Sequence, residues 1–186
     1  MKIIKYFRFD DVCINADMGL INDMTEFLFS KFKDCVVLYG VSPMVHDMTN
    51  AKNEIEKQRI FPKILNAHSD YKNFYKVDKL GLPNFHPKAT LASHGLIHVD
   101  HRLLPKDVQE ISILISASLV KSKIFIPPFN KWNNDTQSVC DEHDIELIKF
   151  EDGWLSMEHN KFNDSHDKWY LHSREFTMEN FKKWFD

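Results

Sequence analysis

The sequence predicts an α/β protein in which helices cover a mainly parallel β-sheet. Short apolar runs alternate along the chain with segments whose apolar residues recur at helical spacing. Polar and ionisable residues directly follow several of the apolar runs, where α/β folds place their active sites. The 186 residues suit one domain with a sizeable core, so we expect a single catalytic domain over residues 1–186.

Six strands are predicted from apolar runs bounded by turn-forming or polar residues. They cover residues 3–9, 36–39, 90–93, 124–126, 145–150 and 169–171. The helical patterns lie between them, and the clearest begins at Pro105, because proline is favoured in a first helical turn. The other predicted helices cover residues 21–32, 51–58, 135–143 and 176–185.

Composition limits the classes of partner and compartment. The net charge is −3 and no basic stripe occurs, so we expect no nucleic-acid partner. The three cysteines are odd in number and far apart, which fits a reducing compartment better than a disulfide framework. No apolar run approaches the ~20 residues that span a bilayer, and no signal-peptide core is present. We expect a cytoplasmic protein without membrane insertion, whose oligomeric state stays open.

The sequence has ten histidines and only five glycines, and histidine is the commonest metal ligand near neutral pH. His94 and His98 are four residues apart, which predicts both imidazoles on one side of a helical turn. Two histidines and a carboxylate, here Asp11, form a catalytic zinc set with an open position for water. Unrelated loop histidines and a solvated turn at Asp10-Asp11 are the alternative. Their placement after predicted strands favours the metal site.

The chain resembles the polysaccharide deacetylases, which are the family-four carbohydrate esterases. The Phe-Asp-Asp segment at residues 9–11 is similar to their first motif, and His-Gly-Leu-Ile-His at residues 94–98 to their second. Phe-Ile-Pro-Pro-Phe at residues 125–129 resembles the third motif, and His172 the histidine of the fifth. The motifs follow the family order over nearly the whole chain.

The resemblance implies a distorted, incomplete (β/α) barrel of mostly parallel strands with outer helices. It also implies one divalent metal ion, zinc by preference, between Asp11, His94 and His98, although cobalt, nickel or iron suit the same donors. Asp10 is then the general base and His172 the general acid. The metal lowers the pKa of bound water from about 15.7 towards about 7. The backbone N–H of Phe129 is a candidate donor to the oxyanion.

Several positions depart from the family pattern, which has an arginine where this chain has Ile126. Arg8 is a candidate substitute, since side chains two apart on a strand share a face and Arg8 can therefore pair with Asp10. A solvent-facing Arg8 is the alternative. Glycine, usual after the second aspartate, is replaced by Val12.

The fourth and fifth motifs also differ. The fourth motif of the family usually ends in an adjacent aspartate and tryptophan, but here Gly153 separates Asp152 from Trp154. Asp152 remains the candidate to orient His172. Tyr170 occupies a position where the family has leucine, which predicts an unusual acetyl pocket. Trp154 and Trp132 are candidates for stacking on a sugar ring or for ordinary packing.

Two further residues are open in role. Asn130 is a candidate for binding sugar hydroxyls or for forming a turn. His101 is a candidate third imidazole at the metal, with a supporting or surface position as the alternative.

Three functions fit these observations. The first is hydrolytic removal of N-acetyl groups from an amino sugar of a surface polysaccharide, a lipopolysaccharide or its precursor. The second keeps the site but changes the substrate to a small non-sugar amide. The third is an inactive relative that binds glycans, which the replacement of the third-motif arginine by Ile126 favours. An N-acetylated carbohydrate is the expected partner in the first reading.

Overall fold

The computed structural model describes residues 4–13, 16–43 and 84–186. Seven strands in these segments form one sheet. They are β1 Tyr6–Cys13, β2 Val36–Ser42, β3 Thr90–Ser93, β4 Ile124–Phe125, β5 Glu146–Leu147, β6 Leu155–Ser156 and β7 Lys168–His172. Every strand pairing among them is parallel, and the order across the sheet is β5-β4-β3-β2-β1-β7-β6.

The strand order gives an open, curled sheet. The chain steps outward from β1 to β5 on one side of β1, and places β7 and then β6 on the other side. The first strand therefore pairs with both β2 and β7, as in a barrel, while β5 and β6 are edge strands of this sheet. The predicted distorted, incomplete (β/α) barrel of parallel strands is confirmed.

Four α-helices pack around the sheet in the described residues. They are α1 Met18–Lys31, α2 Lys106–Val120, α3 Asn134–Glu142 and α4 Met178–Lys183. Side chains cap three of them: Asp17 accepts the N–H of Leu20 at the start of α1, Asn133 forms a capping box with Thr136, and Thr177 begins α4. No helix in the described ranges is long and apolar enough to cross a membrane.

Aromatic side chains form the main core between the sheet, α1 and α4. Phe9 on β1 and Trp169 on β7 have no exposed surface, and neither does Phe181 on α4. The Phe181 ring lies 6.4 Å from Phe9 and 5.9 Å from Phe27 of α1, between centroids. Such rings bury large apolar areas, so they fix the closing helix against the first strand.

The first strand is longer than predicted. It continues through Asp10 and Asp11 because Val12 and Cys13 still pair with β2. The sequence placed the two aspartates after the strand. Two other expectations, residue Ile3 of this strand and a helix over residues 51–58, lie outside the described residues.

The fifth strand is shorter than predicted, and the strand that follows it in the chain, β6, was not predicted. Residues 145–150 contain only the two-residue β5, and Phe150–Asp152 forms a 3₁₀ turn. The missed strand β6, Leu155–Ser156, pairs with β7. A two-residue strand carries no periodic pattern, so its identity depends on the hydrogen-bonding partner rather than on its own sequence.

Replacing Phe181 with alanine should lower the free energy of unfolding by about 3–5 kcal/mol, because a fully buried ring is lost and a cavity remains. Urea denaturation followed by circular dichroism measures this change. Lys183→Ala on the same helix removes an exposed ion pair with Glu179 and should change stability by no more than about 0.5 kcal/mol. Equal losses in the two variants would contradict the proposed docking of α4.

Candidate metal centre and catalytic residues

The carboxyl edge of the sheet collects the predicted site residues. Asp10 and Asp11 lie in the second half of β1, His94 directly follows β3, and His172 is the last residue of β7. Asp10 and His172 are also register partners across β1 and β7. The strand that follows β1 in the chain, β2, lies on one side of β1, and the last strand, β7, lies on the other. Open parallel sheets form binding crevices at such a change in strand order.

An irregularity in β1 brings two successive carboxylates to this edge. The register with β2 shifts between Phe9 and Val12, and Asp11 has a φ of 57°. Aspartate tolerates this left-handed region better than most residues. Successive side chains of a regular strand point to opposite faces. The bulge therefore allows Asp10 and Asp11 to serve one site.

Asp11, His94 and His98 form a compact set of metal-type donors. One ligand atom from each lies within 4.8 Å of the others. Asp11 Oδ1 is 2.9 Å from His98 Nε2 and 3.3 Å from His94 Nε2. Ligands at the usual zinc distance of about 2.0–2.1 Å in a tetrahedron are about 3.4 Å apart. The donor set therefore fits a divalent ion with little rearrangement.

The orientation of His94 also suits a ligand. Its Nδ1 lies 2.8 Å from the carbonyl oxygen of Ile126 and donates to it, because a carbonyl can only accept. The other nitrogen, Nε2, then presents its lone pair towards Asp11. This Nε2 is buried and has no hydrogen-bond partner in the described part of the chain. A buried acceptor without a partner is costly, and a bound metal would satisfy it.

The loop that carries the two histidines is bent, and the prediction of a helical turn is wrong. Residues 94–100 contain no helix, and Gly95 has a φ of 78°. A Cβ at Gly95 would lie 2.8 Å from His101 Cε1, so glycine suits both the backbone and the space. The His98 ring rests 4.3 Å from the Phe129 ring. The loop path, and not helical periodicity, brings His98 to Asp11.

Burial and the neighbouring imidazoles act in opposite directions on Asp11. Burial by itself raises the pKa of this carboxyl, but the interactions with His94 and His98 outweigh it and hold the pKa well below the ordinary value. Asp11 therefore stays ionised near neutral pH, as a metal ligand must.

The Arg8 side chain points into the protein and not towards solvent. It is fully buried, and its Nη2 lies 2.8 Å from Asp10 Oδ2. The same nitrogen donates to Asn130 Oδ1 in the loop after β4. The guanidinium carbon lies 4.8 Å from the Trp154 ring and 4.9 Å from the Tyr170 ring. Arg8 thus takes the place beside the candidate base that Ile126 cannot fill.

These contacts define what the neighbouring predicted residues do. Trp154 and Tyr170 cover the faces of the guanidinium, and Trp154 is almost completely buried. Asn130 has a left-handed backbone, as a turn former does, and also accepts from Arg8. Phe129 has a left-handed backbone as well, and its ring is partly exposed beside the candidate metal site.

Glu158, and not Asp152, orients His172. The Glu158 carboxylate lies 3.2 Å from His172 Nδ1 and accepts the His172 backbone N–H at 2.6 Å. The prediction for Asp152 is wrong, because its carboxylate instead accepts the backbone N–H of Lys149 at 2.9 Å. The hydrogen bond to Glu158 raises the pKa of His172, which suits an imidazolium acid. Nε2 of His172 lies 3.9 Å from Asp11 Oδ2.

Gly40 of β2 lies beneath the site. A Cβ there would be 3.2 Å from Asp10 Oδ1 and 3.5 Å from His94 Cγ. The lack of a side chain thus lets the candidate base Asp10 and the candidate metal ligand His94 pack closely against the middle of the sheet.

No family model matches the chain, and no curated protein matches it in sequence. Solved structures do match it. A CE4 family pseudoenzyme from Bacillus anthracis is 9% identical with a TM-score of 0.54, over 97% of this chain and 57% of that one. A family 4 carbohydrate esterase from Streptomyces lividans is 10% identical with a TM-score of 0.52, over 98% and 84%. A mutant of a Bacillus subtilis peptidoglycan deacetylase is 12% identical with a TM-score of 0.52, over 92% of this chain and 75% of that one.

This chain has the fold of the family 4 carbohydrate esterases. At these identities the likeness concerns the fold, and the chemistry must be argued from the side chains. The chain spans 57% of the length of the Bacillus anthracis pseudoenzyme.

Within this esterase fold, His101 is a buried structural residue. Its Nδ1 donates to the Val99 carbonyl at 3.0 Å, and its Nε2 lies 3.0 Å from Ser112 Oγ on α2. Ser112 Oγ also accepts the Leu96 N–H at 3.2 Å. Burial lowers the pKa of His101 to about 4. The neutral ring therefore ties the loop with the candidate metal ligands to α2, and His101 does not belong to the Asp11 donor set found among the described residues.

Two residues near the site were not found from the sequence. Glu158 lies in the connection after β6, with no motif to mark it. Arg174 lies in a short 3₁₀ turn after β7, and its Nη2 is 3.3 Å from Asp11 Oδ2. Its position two residues after His172, at the carboxyl end of a strand, was the available signal.

Replacing Arg8 with methionine should lower the free energy of unfolding by about 3–5 kcal/mol, because Asp10 is left buried without its partner. Asp10→Asn in the same background should remove part of this loss, so a double-mutant cycle should show coupling above about 1 kcal/mol. Urea denaturation in chelator excludes effects of metal binding. Lys123→Met removes an exposed pair with Asp144 and is the control, expected within about 0.5 kcal/mol. Additive effects of the two site variants would contradict the buried pair.

The buried His101 should make stability fall as the pH is lowered. In the unfolded chain histidine binds a proton near pH 6.5, whereas folded His101 does so only near pH 4. The unfolding free energy thus decreases between these values, by about 3 kcal/mol in total. Urea denaturation at pH 7 and pH 4 in chelator measures it. His101→Gln should show a pH-dependent loss smaller by about that amount, and equal losses would mean that His101 is already protonated when folded.

Proposed function

We propose that this chain is a divalent-metal-dependent hydrolase that removes N-acetyl groups from an amino sugar. The observation that carries the proposal is the arrangement around Asp11, His94 and His98. Beside this donor set, on neighbouring strands, lie Asp10 with its cation Arg8 and His172 with the carboxylate of Glu158. Amide hydrolysis at a metal site requires a general base to activate water and a general acid to protonate the leaving amine, and both candidates are held here by oppositely charged partners.

The base side of the site is built to take a proton. A divalent cation, when bound, lowers the pKa of coordinated water and polarises an amide carbonyl. Asp10 accepts the proton of the attacking water through one carboxylate oxygen. Arg8 holds the other oxygen at 2.8 Å and neutralises its charge, which fixes the carboxylate against rotation. Zinc is our first choice of metal, because two imidazoles and a carboxylate are a common zinc set.

The acid side deals with the leaving group. An amine leaves poorly unless it is protonated, and His172 as an imidazolium supplies this proton. Glu158 stays ionised and stabilises the charged ring. Burial raises the pKa of Glu158, but the hydrogen bonds that it accepts from His172 and Ser156 outweigh this effect and hold the pKa at about 2. The backbone N–H of Phe129, placed by the left-handed turn after Pro128, is our candidate donor to the oxyanion.

The substrate class rests on the fold and on the donor set together. The solved structures of this fold include a peptidoglycan deacetylase and an esterase of carbohydrates. We therefore propose an N-acetylated amino sugar of a surface polysaccharide, a lipopolysaccharide or its precursor.

An inactive glycan-binding role is the second candidate. The likeness to a CE4 family pseudoenzyme and the isoleucine at position 126 favour it. The pairs Arg8–Asp10 and Glu158–His172 favour catalysis instead, because binding alone requires neither an aligned base nor an aligned acid. A small non-sugar amide remains the alternative substrate, which a panel of compounds can separate from sugars.

Metal content tests the first step of the proposal. Protein purified without a histidine tag and incubated with zinc should hold about one ion per chain by mass spectrometry. His94→Ala and His98→Ala should each lose it, while His143→Ala, at an exposed histidine bonded to Glu110, should keep it. A parent that binds no zinc, cobalt or nickel would overturn the metal-dependent mechanism.

Turnover tests the second step, with N-acetyl sugars, sugar nucleotides, oligosaccharides and simple amides as the panel. Asp10→Asn and His172→Ala should keep the fold and lower kcat by about 10²–10⁴-fold, the usual contribution of general acid–base catalysis. The control substitution His143→Ala should leave kcat unchanged. A metal-loaded parent that turns over none of the panel but binds glycans would establish the inactive role.

A further inference from the structure

We propose that Arg174 forms an anion-binding subsite beside the metal centre, which selects a substrate with a carboxylate or phosphate near its acetamide group. The role of the subsite in choosing a substrate rests on the proposed function, but anion binding at Arg174 does not require turnover. Neither the metal triad nor the acid–base pairs assign any role to Arg174.

The geometry places Arg174 on the outer side of Asp11. The inner oxygen of that carboxylate, Oδ1, faces both imidazoles of the metal set. The outer oxygen, Oδ2, faces Arg174 Nη2 at 3.3 Å and His172 Nε2 at 3.9 Å. The guanidinium and the candidate acid therefore lie side by side, where the leaving part of a substrate must also lie.

Arg174 contributes little to the fold. Its side chain is 71% exposed, and exposed ion pairs of this kind add little to stability. Its Nε lies 3.4 Å from the carboxylate of Glu175, itself more than half exposed, which aligns the guanidinium. An aligned and accessible guanidinium is suited to carboxylate and phosphate, because its planar donors match two oxygens at once.

The charge of the site favours an anion once a divalent ion is bound. The metal then takes much of the charge of Asp11, and Arg174 is left near a cation of like sign. An anionic group that lies between the two gains from both charges. A second cation, Lys131, has its Nζ 5.7 Å from the Phe129 ring that packs against His98, and it is paired with Asp100 at 3.7 Å.

Matched sugars test the subsite. NMR titration of the zinc-loaded protein compares N-acetylglucosamine 6-phosphate with N-acetylglucosamine, which differ only in the anion. The parent should bind the phosphorylated sugar about tenfold more tightly or better, as expected for a charge-assisted contact. Arg174→Gln should abolish most of this preference, and Arg174→Lys should keep part of it. Arg102→Gln removes another arginine, bound to Asp100, and should leave the preference unchanged.

The outcomes separate the subsite from its alternatives. Equal affinity for the two sugars in the parent, or no binding of either, overturns the proposal. A preference that persists in Arg174→Gln also overturns it, because the phosphate then binds the metal without Arg174. A parallel titration with N-acetylmuramic acid compares a carboxylate with the phosphate, and the anion with the larger loss in Arg174→Gln is the one that the subsite prefers. If this preference occurs in a protein without turnover, the proposed hydrolysis fails but the subsite stands.

Discussion

The burial of the Arg8 guanidinium is the constraint on which the geometry of the site depends. A charge without solvent is tolerated only when an opposite charge, hydrogen bonds and suitable packing surround it. Asp10 supplies the charge, Asn130 accepts a hydrogen bond, and two aromatic rings cover the faces. These partners come from β1, from the connections after β4 and before β6, and from β7. One cation therefore fixes the relative positions of the segments that surround the candidate base.

The fold supplies the place for this chemistry but does not decide whether it occurs. The same architecture is present in esterases and in a pseudoenzyme, so the likeness in fold is compatible with either. The decision rests on single side chains. In this chain the cation beside the base comes from Arg8 on the first strand, while the buried Ile126 offers only its carbonyl oxygen, which orients His94. The loss of a motif residue can thus leave the corresponding interaction intact.

The sequence was most informative where the decisive contacts are short in range. The Arg8–Asp10 pair follows from the two-residue period of a strand, and Thr90–Ser93 was placed from its own residues. The sequence was misleading where the interacting residues are far apart along the chain. The spacing of His94 and His98 suggested a helical turn, yet Gly95 and the packing of His101 bend the loop instead. The order of the motifs suggested that Asp152 contacts His172, but in the folded chain the carboxylate of Glu158 contacts it instead, and Asp152 accepts from Lys149.

The sequence by itself determined the class of fold, the association of two aspartates with the first strand, and the types of donor at the candidate metal site. These features depend on covalent spacing and on the local alternation of apolar and polar residues. Only the tertiary structure decided that Glu158 holds His172, that Arg174 reaches Asp11, and that His101 is buried and neutral. Those contacts join residues whose separation along the chain carries no information. They arise because β7 pairs with β1 and the loops pack over one edge of the sheet.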